Sequence, residues 1–199
     1  NVAQADSDER MRSLWLPRRG WKLLGSDAEG IELRGLGHYL APLDKGAFAE
    51  AVTNGDKSKG TDAHSINRDI LGLFNRGGTG VVGAKNYIYA LIYGAGDAKL
   101  GELVIQDAID AGKYNPTDAP HLFRANKKGV MVPRAKTDLG KESRGKIESG
   151  LTGLGELVKG VKRTAKNRGY LIGIDGRKLW VRKEHAALNT LLQGFGAVI

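Results

Sequence analysis

Three side chains that could bind a nucleotide recur at four-residue steps in the middle of this chain. Lys85, Tyr89 and Tyr93 would rise along one face of a helix, because residues four apart are neighbours on a helix surface. An ammonium group can hold a phosphate, and an aromatic ring can pack against a base. The spacing therefore predicts a helix over about 84–94 that offers a phosphate site followed by two rings.

An apolar stripe on the neighbouring face gives this segment a simpler explanation. The stripe has the i, i+4, i+7, i+8 spacing of a buried face and consists of Ala84, Ile88, Leu91 and Ile92. Gly94 and Gly96 are expected to end the helix. Taken alone, the segment is more typical of a half-buried helix with interfacial tyrosines than of a ligand site.

The glycine-rich stretch before this helix, residues 76–85, resembles a phosphate-binding P-loop without matching it. Gly78 and Gly83 have the required spacing, but Ala84 separates them from Lys85, and Asn86 stands where that motif needs Ser or Thr. We expect a mobile glycine loop here. A nucleotide-hydrolysing protein that uses this loop stays open as one alternative function.

The composition indicates a globular protein with a polyanionic partner. The 199 residues, 41% hydrophobic, are enough for one domain or two small lobes. Net charge is +9, and residues 121–183 hold seventeen Lys or Arg against five Asp or Glu, which favours nucleic acid over a merely solvated basic surface only weakly. The lack of cysteine excludes disulfides and thiolate chemistry, and no apolar run could span a membrane.

The remaining pattern predicts mainly helices, with strands at the two ends of the chain. Strands are expected at 11–16 and 21–26, and the second would deliver Asp27 either as a metal ligand or as a helix N-cap. Asp175 and Gly176 between two apolar runs predict a hairpin over 170–182. Helices are expected at 31–40, 45–53, 62–73, 97–111, 141–168 and 185–192, with a loop at 112–133. The glycines within 141–168 require either tight packing or a break.

In this order, three of the segments resemble the motifs of family A (polymerase I-like) DNA polymerases, in particular the phage replicative type. Residues 27–34 are similar to motif A, residues 85–94 to motif B, and residues 175–193 to the stretch before motif C. The resemblance implies an α+β fold, namely a partial polymerase palm with antiparallel strands and a mostly helical fingers lobe. Residues 1–55 and 169–199 would belong to the palm, and residues 56–168 to the fingers.

The resemblance also implies template-directed nucleotidyl transfer with two Mg²⁺ ions. Asp27 matches the metal-binding aspartate, and the backbone carbonyl of Ala28 would complete the coordination. Lys85 matches the lysine that contacts the incoming triphosphate and is the candidate proton donor to the leaving group. The implied dNTP-binding residues are Glu32, His64, Arg76, Lys85 and Tyr89, of which Glu32 and Tyr89 would flank the sugar.

A second set of residues would contact the primer and template. Tyr93 matches the ring at the templating-base position, and Gly94 leaves room beside it. Asn189 and Gln193 resemble side chains that check base pairs through minor-groove acceptors. The implied primer–template residues are Tyr93, Gly94, Arg177, His185, Asn189 and Gln193, with Arg177 the weakest match.

The chain departs from this family at several points. The family has an arginine four residues before the motif B lysine, where this chain has Val81; Arg76, across the glycine loop, is the nearest substitute. The second metal-binding aspartate of motif C and the thumb are not found in the 199 residues. We therefore expect that the isolated chain does not extend a primer and needs a complementary polymerase segment as partner.

These considerations define the expected partners and the main alternative. The expected partners are primer–template DNA, dNTPs and the remaining polymerase segments, in the host cytoplasm and without a membrane. The alternative is a non-catalytic, nucleic-acid-binding polymerase remnant that keeps the basic surface.

Overall fold

Helices dominate the fold, and its two sheets are small. The computed structural model describes residues 8–24 and 28–198. Within them the helices are α1 Glu9–Arg12, α2 Ile31–Asp44, α3 Ala47–Thr53, α4 Ala63–Leu71, α5 Ala84–Ile92, α6 Asp97–Asp110, α7 Lys136–Gly150, α8 Leu154–Arg168 and α9 Ala187–Gly196. Each sheet is an antiparallel pair, β1 Phe123–Ala125 with β2 Met131–Pro133 and β3 Tyr170–Ile172 with β4 Lys178–Trp180. The α+β class is confirmed.

Both hairpins follow from local turn chemistry, although only one was expected. The β3–β4 pair forms around Asp175 and Gly176, as the sequence predicts, with Gly176 at φ 82°. The β1–β2 pair lies in the segment 112–133 that we expected to be a loop. Its turn is held by Asn126, whose side-chain oxygen accepts from the N–H groups of Lys128 and Val130.

The strands expected at 11–16 and 21–26 are wrong over the residues that the structure describes. Glu9–Arg12 is helical, and residues 14–17 and 21–24 have no regular structure. The apolar side chains there are exposed, and Leu24 is 95% exposed. A strand needs a neighbour to pair its backbone groups, and no other part of the described chain pairs with this one. Asp27 lies outside the described residues.

The long helical pattern at 141–168 is interrupted by a break, which is one of the two outcomes that its glycines predicted. Helices α7 and α8 are separated at residues 151–153, where Gly153 has φ 81°. Helix α7 also approaches α6 too closely for side chains at the crossing. A Cβ on Gly140 would lie 1.8 Å from the carbonyl oxygen of Asp97, and one on Gly101 would lie 1.8 Å from that of Lys136.

One apolar core joins elements from all three predicted sections of the chain. It contains Leu36 of α2, Ile88 of α5 and Leu192 of α9, all fully or almost fully buried. The first and last long helices, α2 and α9, thus share a core with the central helices, while the palm and fingers boundaries stay a prediction. No helix in the described ranges is long and apolar enough to cross a membrane.

Candidate functional site

Helix α5 has the two faces that its sequence predicts. Its packing side holds the expected stripe, and Ile88 and Ile92 are completely or almost completely buried. Lys85 and Tyr93 are exposed, and Tyr89 is half-buried. The side chains with possible ligand chemistry therefore reach solvent, while the stripe fixes the helix in the core.

Tyr87 is a buried anchor of α5 that the sequence reasoning missed. Its hydroxyl donates to Ser143 Oγ of α7 at 2.8 Å, and Ser143 donates onward to the Gly140 carbonyl. Burial raises the pKa of Tyr87 to about 12, so the phenol stays neutral. It lies three residues after Ala84 and four before Leu91, on the same side of the helix as the apolar stripe, which is the signal that could have identified it.

The glycine loop brings Arg76 to the start of α5. The N–H of Lys85 donates to the carbonyl of Arg76 at 2.9 Å, and the N–H of Ala84 donates to the carbonyl of Asn75 at 3.1 Å. In an uninterrupted helix, the N–H of Lys85 would instead reach the carbonyl four residues back, at Val81. Arg76 thus takes the backbone place that Val81 has in the linear sequence, and the residues between them loop out.

Two carboxylates of α6 hold this loop. Asp107 accepts from the N–H groups of Phe74 at 2.8 Å and Asn75 at 2.9 Å, and Asp110 accepts from the N–H of Val82 at 2.8 Å. Asp107 is buried, and its burial raises its pKa despite these hydrogen bonds. The loop is therefore tied to α6 at both of its ends.

The backbone of the loop is already engaged, which argues against P-loop chemistry. A P-loop presents its N–H groups to phosphates. Here the N–H groups at 78 and 81–85 all donate to acceptors within the protein, as hydrogen bonds from Gly78, Val81, Val82, Gly83, Ala84 and Lys85. An anion bound here would have to be held mainly by side chains.

Four of the predicted dNTP-binding residues line one cleft. His64 of α4, Arg76 of the loop, and Lys85 and Tyr89 of α5 surround a volume of about 330 Å³. An adjoining opening of about 790 Å³ shares Arg76, Lys85 and Tyr89. Both volumes are also lined by Lys57, which sequence reasoning missed because a lysine in a polar loop gives no distinctive signal.

Arg76 is oriented in the cleft by a buried carboxylate. Its Nε and Nη2 donate to Asp62 Oδ1 at 2.9 and 2.6 Å. Asp62 is the N-cap of α4, and it also accepts from the His64 N–H and from Ser65 Oγ. Burial alone would raise the pKa of Asp62, but hydrogen bonds from Arg76 and Ser65 lower it to about 2. The carboxylate is thus charged at neutral pH.

His64 is neutral in this environment. Its burial, with the nearby positive charge of Arg76, lowers its pKa to about 4. Its Nδ1 is buried without a hydrogen-bond partner among the described residues, and its ring centre lies 6.1 Å from that of Tyr89. The imidazole therefore keeps an unused polar atom beside the cleft.

A second group forms where the C-terminal end of α5 meets α2 and α9. Tyr93 donates from its hydroxyl to Glu32 Oε1 at 2.9 Å, and Gln193 Nε2 reaches the same oxygen at 3.4 Å. Although the Tyr93 ring is exposed, partial desolvation of its hydroxyl, then the hydrogen bond to Glu32, raises the pKa of Tyr93 to about 12. The Tyr93 ring lies 6.2 Å from the Tyr89 ring, which links this group to the cleft. Glu32 thus lies with the predicted template residues rather than in the cleft lining.

The other predicted primer–template residues are only partly brought together. A Cβ on Gly94 would lie 2.8 Å from the carbonyl oxygen of His185, so the two backbones nearly touch. Asn189 has a buried Oδ1 without a partner in the described part of the chain. Arg177 stays at the β3–β4 turn, where it pairs with Asp175 at 3.0 Å and donates to the carbonyl of Gly194 at 3.2 Å.

The predicted magnesium site cannot be assembled from the described residues. Asp27 lies outside them, and Ala28 next to it is exposed. In residues 8–24 and 28–198, no three His, Cys, Asp or Glu side chains form a group that could hold a metal ion. Magnesium binding stays a prediction.

Comparison with known proteins identifies relatives over most of the chain. No family model matches. The chain is 35% identical over 179 residues to a DNA-directed DNA polymerase of Escherichia phage T7 and to one of Enterobacteria phage T3, and each match covers 90% of this chain and 22% of the relative. A DNA-directed DNA polymerase of Escherichia phage Phieco32 is 31% identical over 211 residues, covering 93% of this chain and 29% of the relative. The chain is therefore homologous to phage DNA-directed DNA polymerases and spans less than a third of their length.

Proposed function

We propose that this chain is the nucleotide-selecting part of a family A DNA polymerase of the phage replicative type. The observation that carries the proposal is the similarity to three phage DNA-directed DNA polymerases over at least 90% of the chain. Further support comes from the convergence of His64, Arg76, Lys85 and Tyr89 on one cleft, because the sequence indicates each as a possible nucleotide contact without indicating that the four meet. In this proposal the basic surface binds primer–template DNA.

The cleft would hold the triphosphate of a dNTP by its side chains. Lys85 and Arg76 supply the positive charges, and the Arg76 carbonyl accepts from the Lys85 N–H, as the residue four positions earlier would in a continuous helix. Because the loop N–H groups at 78 and 81–85 donate within the protein, the guanidinium and the ammonium would make the main phosphate contacts. A neutral His64 can donate one hydrogen bond without adding charge. Tyr89 would pack beside the sugar.

The second group would test the template side of the nascent base pair. Tyr93 would cover the templating base, held in place by its hydrogen bond to Glu32. Asn189 and Gln193 would donate from their amide N–H groups to minor-groove acceptors. Glu32 would close the sugar pocket between the two groups.

Asp27 and the backbone carbonyl of Ala28 would bind magnesium, together with a second carboxylate from a segment outside this chain. When bound, the two ions would orient the primer hydroxyl and offset charge on the leaving pyrophosphate. Lys85 would donate a proton to the leaving pyrophosphate. The isolated chain would therefore bind nucleotide and DNA without extending a primer.

A chimaera tests the catalytic part of the proposal. The chain would replace the matching segment of the T7 phage DNA-directed DNA polymerase, and primer extension would be measured. We expect extension that Asp27→Asn abolishes and that Lys85→Gln lowers at least tenfold, while Lys59→Gln, an exposed lysine in the neighbouring loop, leaves it unchanged. A folded chimaera without extension would contradict the proposal, as would robust extension by the 199-residue chain alone.

Nucleotide binding by the isolated chain tests the cleft and separates the alternative. A fluorescent dATP analogue should bind, and both Lys85→Gln and Arg76→Gln should weaken it more than Lys59→Gln does. A non-catalytic remnant would instead bind DNA in a salt-sensitive way without any nucleotide binding at the cleft. That pattern would favour the alternative function.

A further inference from the structure

The outer face of the β3–β4 hairpin is a small platform that faces solvent. Strand alternation turns Leu171 and Leu179 toward α8 and α9, where Leu171 is buried. The opposite face consists of two cross-strand pairs, Tyr170 with Trp180 and Ile172 with Lys178. Ile172, Lys178 and Trp180 are exposed on it. Neither group of the proposed nucleotide site uses this face.

Trp180 is presented to solvent on a braced support. Its indole is 69% exposed, and its ring centre lies 5.5 Å from that of Tyr170 in an edge-to-face arrangement. Lys178 Nζ lies 4.8 Å from the centre of the Tyr170 ring. The tyrosine is therefore covered on two sides, and the tryptophan offers the open aromatic surface.

The segment of the chain that contains Trp180 is strongly basic. Residues 162–183 contain eight Lys or Arg and one Asp, for a net charge of +7. That Asp175 is already paired with Arg177. In the described part of the chain, none of Arg168, Lys178 and Arg182 forms an ion pair.

A groove next to the platform is lined by charges of both signs, so it does not extend the basic site beyond the hairpin. Ile172 lines it together with Lys159 and Arg163 of α8, in a volume of about 1090 Å³. Glu148 and Glu156 line the same groove. Their charges balance those two cations, so the excess positive charge lies at the hairpin.

We propose that this hairpin face binds single-stranded nucleic acid, with one unpaired base stacked on Trp180. The neighbouring cations Lys178, Arg168 and Arg182 would contact the adjoining phosphates. An exposed ring among unpaired cations is the combination that single-strand binding uses, since every base has a face that can stack. A duplex hides its base faces, and an acidic peptide has none, so a contribution from the indole distinguishes this partner. The inference does not depend on the proposed polymerase function.

Binding of a fluorescein-labelled dT10 to the 199-residue chain, followed by anisotropy, tests the inference. Trp180→Ala should weaken binding at least fivefold, and Trp180→Phe should retain most of it. Trp21→Ala is the matched control, because Trp21 is 75% exposed and lies far from the hairpin in sequence; it should change nothing. Lys178→Gln should reduce the slope of log affinity against log salt concentration by about the amount that one phosphate contact contributes. Circular dichroism would verify that each variant is folded.

Two further arms identify the ligand class. An abasic ten-mer of the same charge should bind the original chain and the Trp180→Ala variant equally. The inference is wrong if Trp180→Ala and Trp180→Phe both bind dT10 like the original chain. It is also wrong if a poly-glutamate peptide shows the same dependence on Trp180. Lys59→Gln, at an exposed lysine that lines neither volume of the cleft, should leave dT10 binding unchanged, which shows that losing one surface charge elsewhere does not weaken binding.

Discussion

Replacing Asp62 with Asn would remove the charge that holds Arg76 while keeping most of the local geometry. Asn is as good an N-cap as Asp, since its oxygen can still accept from the His64 N–H, while its amide N–H would replace Oδ2 and donate to Ser65 Oγ. What is lost is the ion pair to Arg76, whose side chain is 27% exposed. The variant therefore isolates the contribution of one buried negative charge.

The pKa of Asp62 gives the size of the effect. Folding lowers it from an ordinary value of 3.8 to about 2. That shift corresponds to about 2 kcal/mol of unfolding free energy at neutral pH. Because the folded pKa is the lower one, the stabilisation is complete well above pH 4 and is lost as the pH falls toward 2. We expect Asp62→Asn to cost about 2 kcal/mol at pH 7 and about half as much at pH 3.

Urea unfolding at pH 7, 5, 4 and 3 would measure this difference. Asp69→Asn is the matched control, since Asp69 also lies on α4 and pairs with Arg68 at 2.6 Å, but its side chain is 63% exposed. We expect the control to change stability by less than about 1 kcal/mol at every pH. A loss in Asp62→Asn that is equal at pH 7 and pH 3 would refute the reasoning, because the charge would then not be its source.

Two other predictions concern the helix crossing and the cleft histidine. Gly140→Ala should lower the unfolding free energy by about 1–3 kcal/mol, because its Cβ would meet the Asp97 carbonyl. Gly145→Ala in the same helix faces open space and should raise the unfolding free energy by up to about 1 kcal/mol. Equal urea midpoints for the two variants would contradict the close packing at Gly140. The His64 ring should titrate near pH 4 by NMR, and inorganic triphosphate should raise that midpoint by favouring the charged ring; a midpoint near 6.5 would show that the ring is not buried.

Periodicity and turn chemistry predicted the elements that depend on local contacts. The stripe of α5 follows from apolar spacing, and the β3–β4 hairpin follows from Asp175 and Gly176. The strand expected at 21–26 is wrong over the described residues 21–24, because an apolar run does not reveal whether a neighbour will pair with it. The sequence therefore indicated which residues are apolar there without indicating what covers them.

Motif resemblance indicated which residues line the cleft, but the hydrogen bonds that hold those residues in place could not be predicted from the sequence. Arg76 lies nine residues before Lys85, and no periodic pattern indicates that its carbonyl replaces that of Val81. Asp107 did carry a usable signal, because a carboxylate at i+7 from the buried Leu100 lies on the apolar face of α6. A charged residue on such a face needs partners, and here they are two backbone N–H groups of the loop.

The base of the glycine loop is closed by hydrogen bonds, so the position of Arg76 does not depend on how many residues the loop contains. Because Asn75 and Arg76 are hydrogen-bonded directly to Ala84 and Lys85, residues inserted or deleted at the tip, around Gly80, would leave Arg76 and Lys85 in register. The tip faces open space at Gly80, so an inserted peptide tag would meet no other group there, whereas a side chain on Gly80 itself would be strained by its φ of 75°. Related chains could therefore differ in loop length here and still keep the same pair of cations.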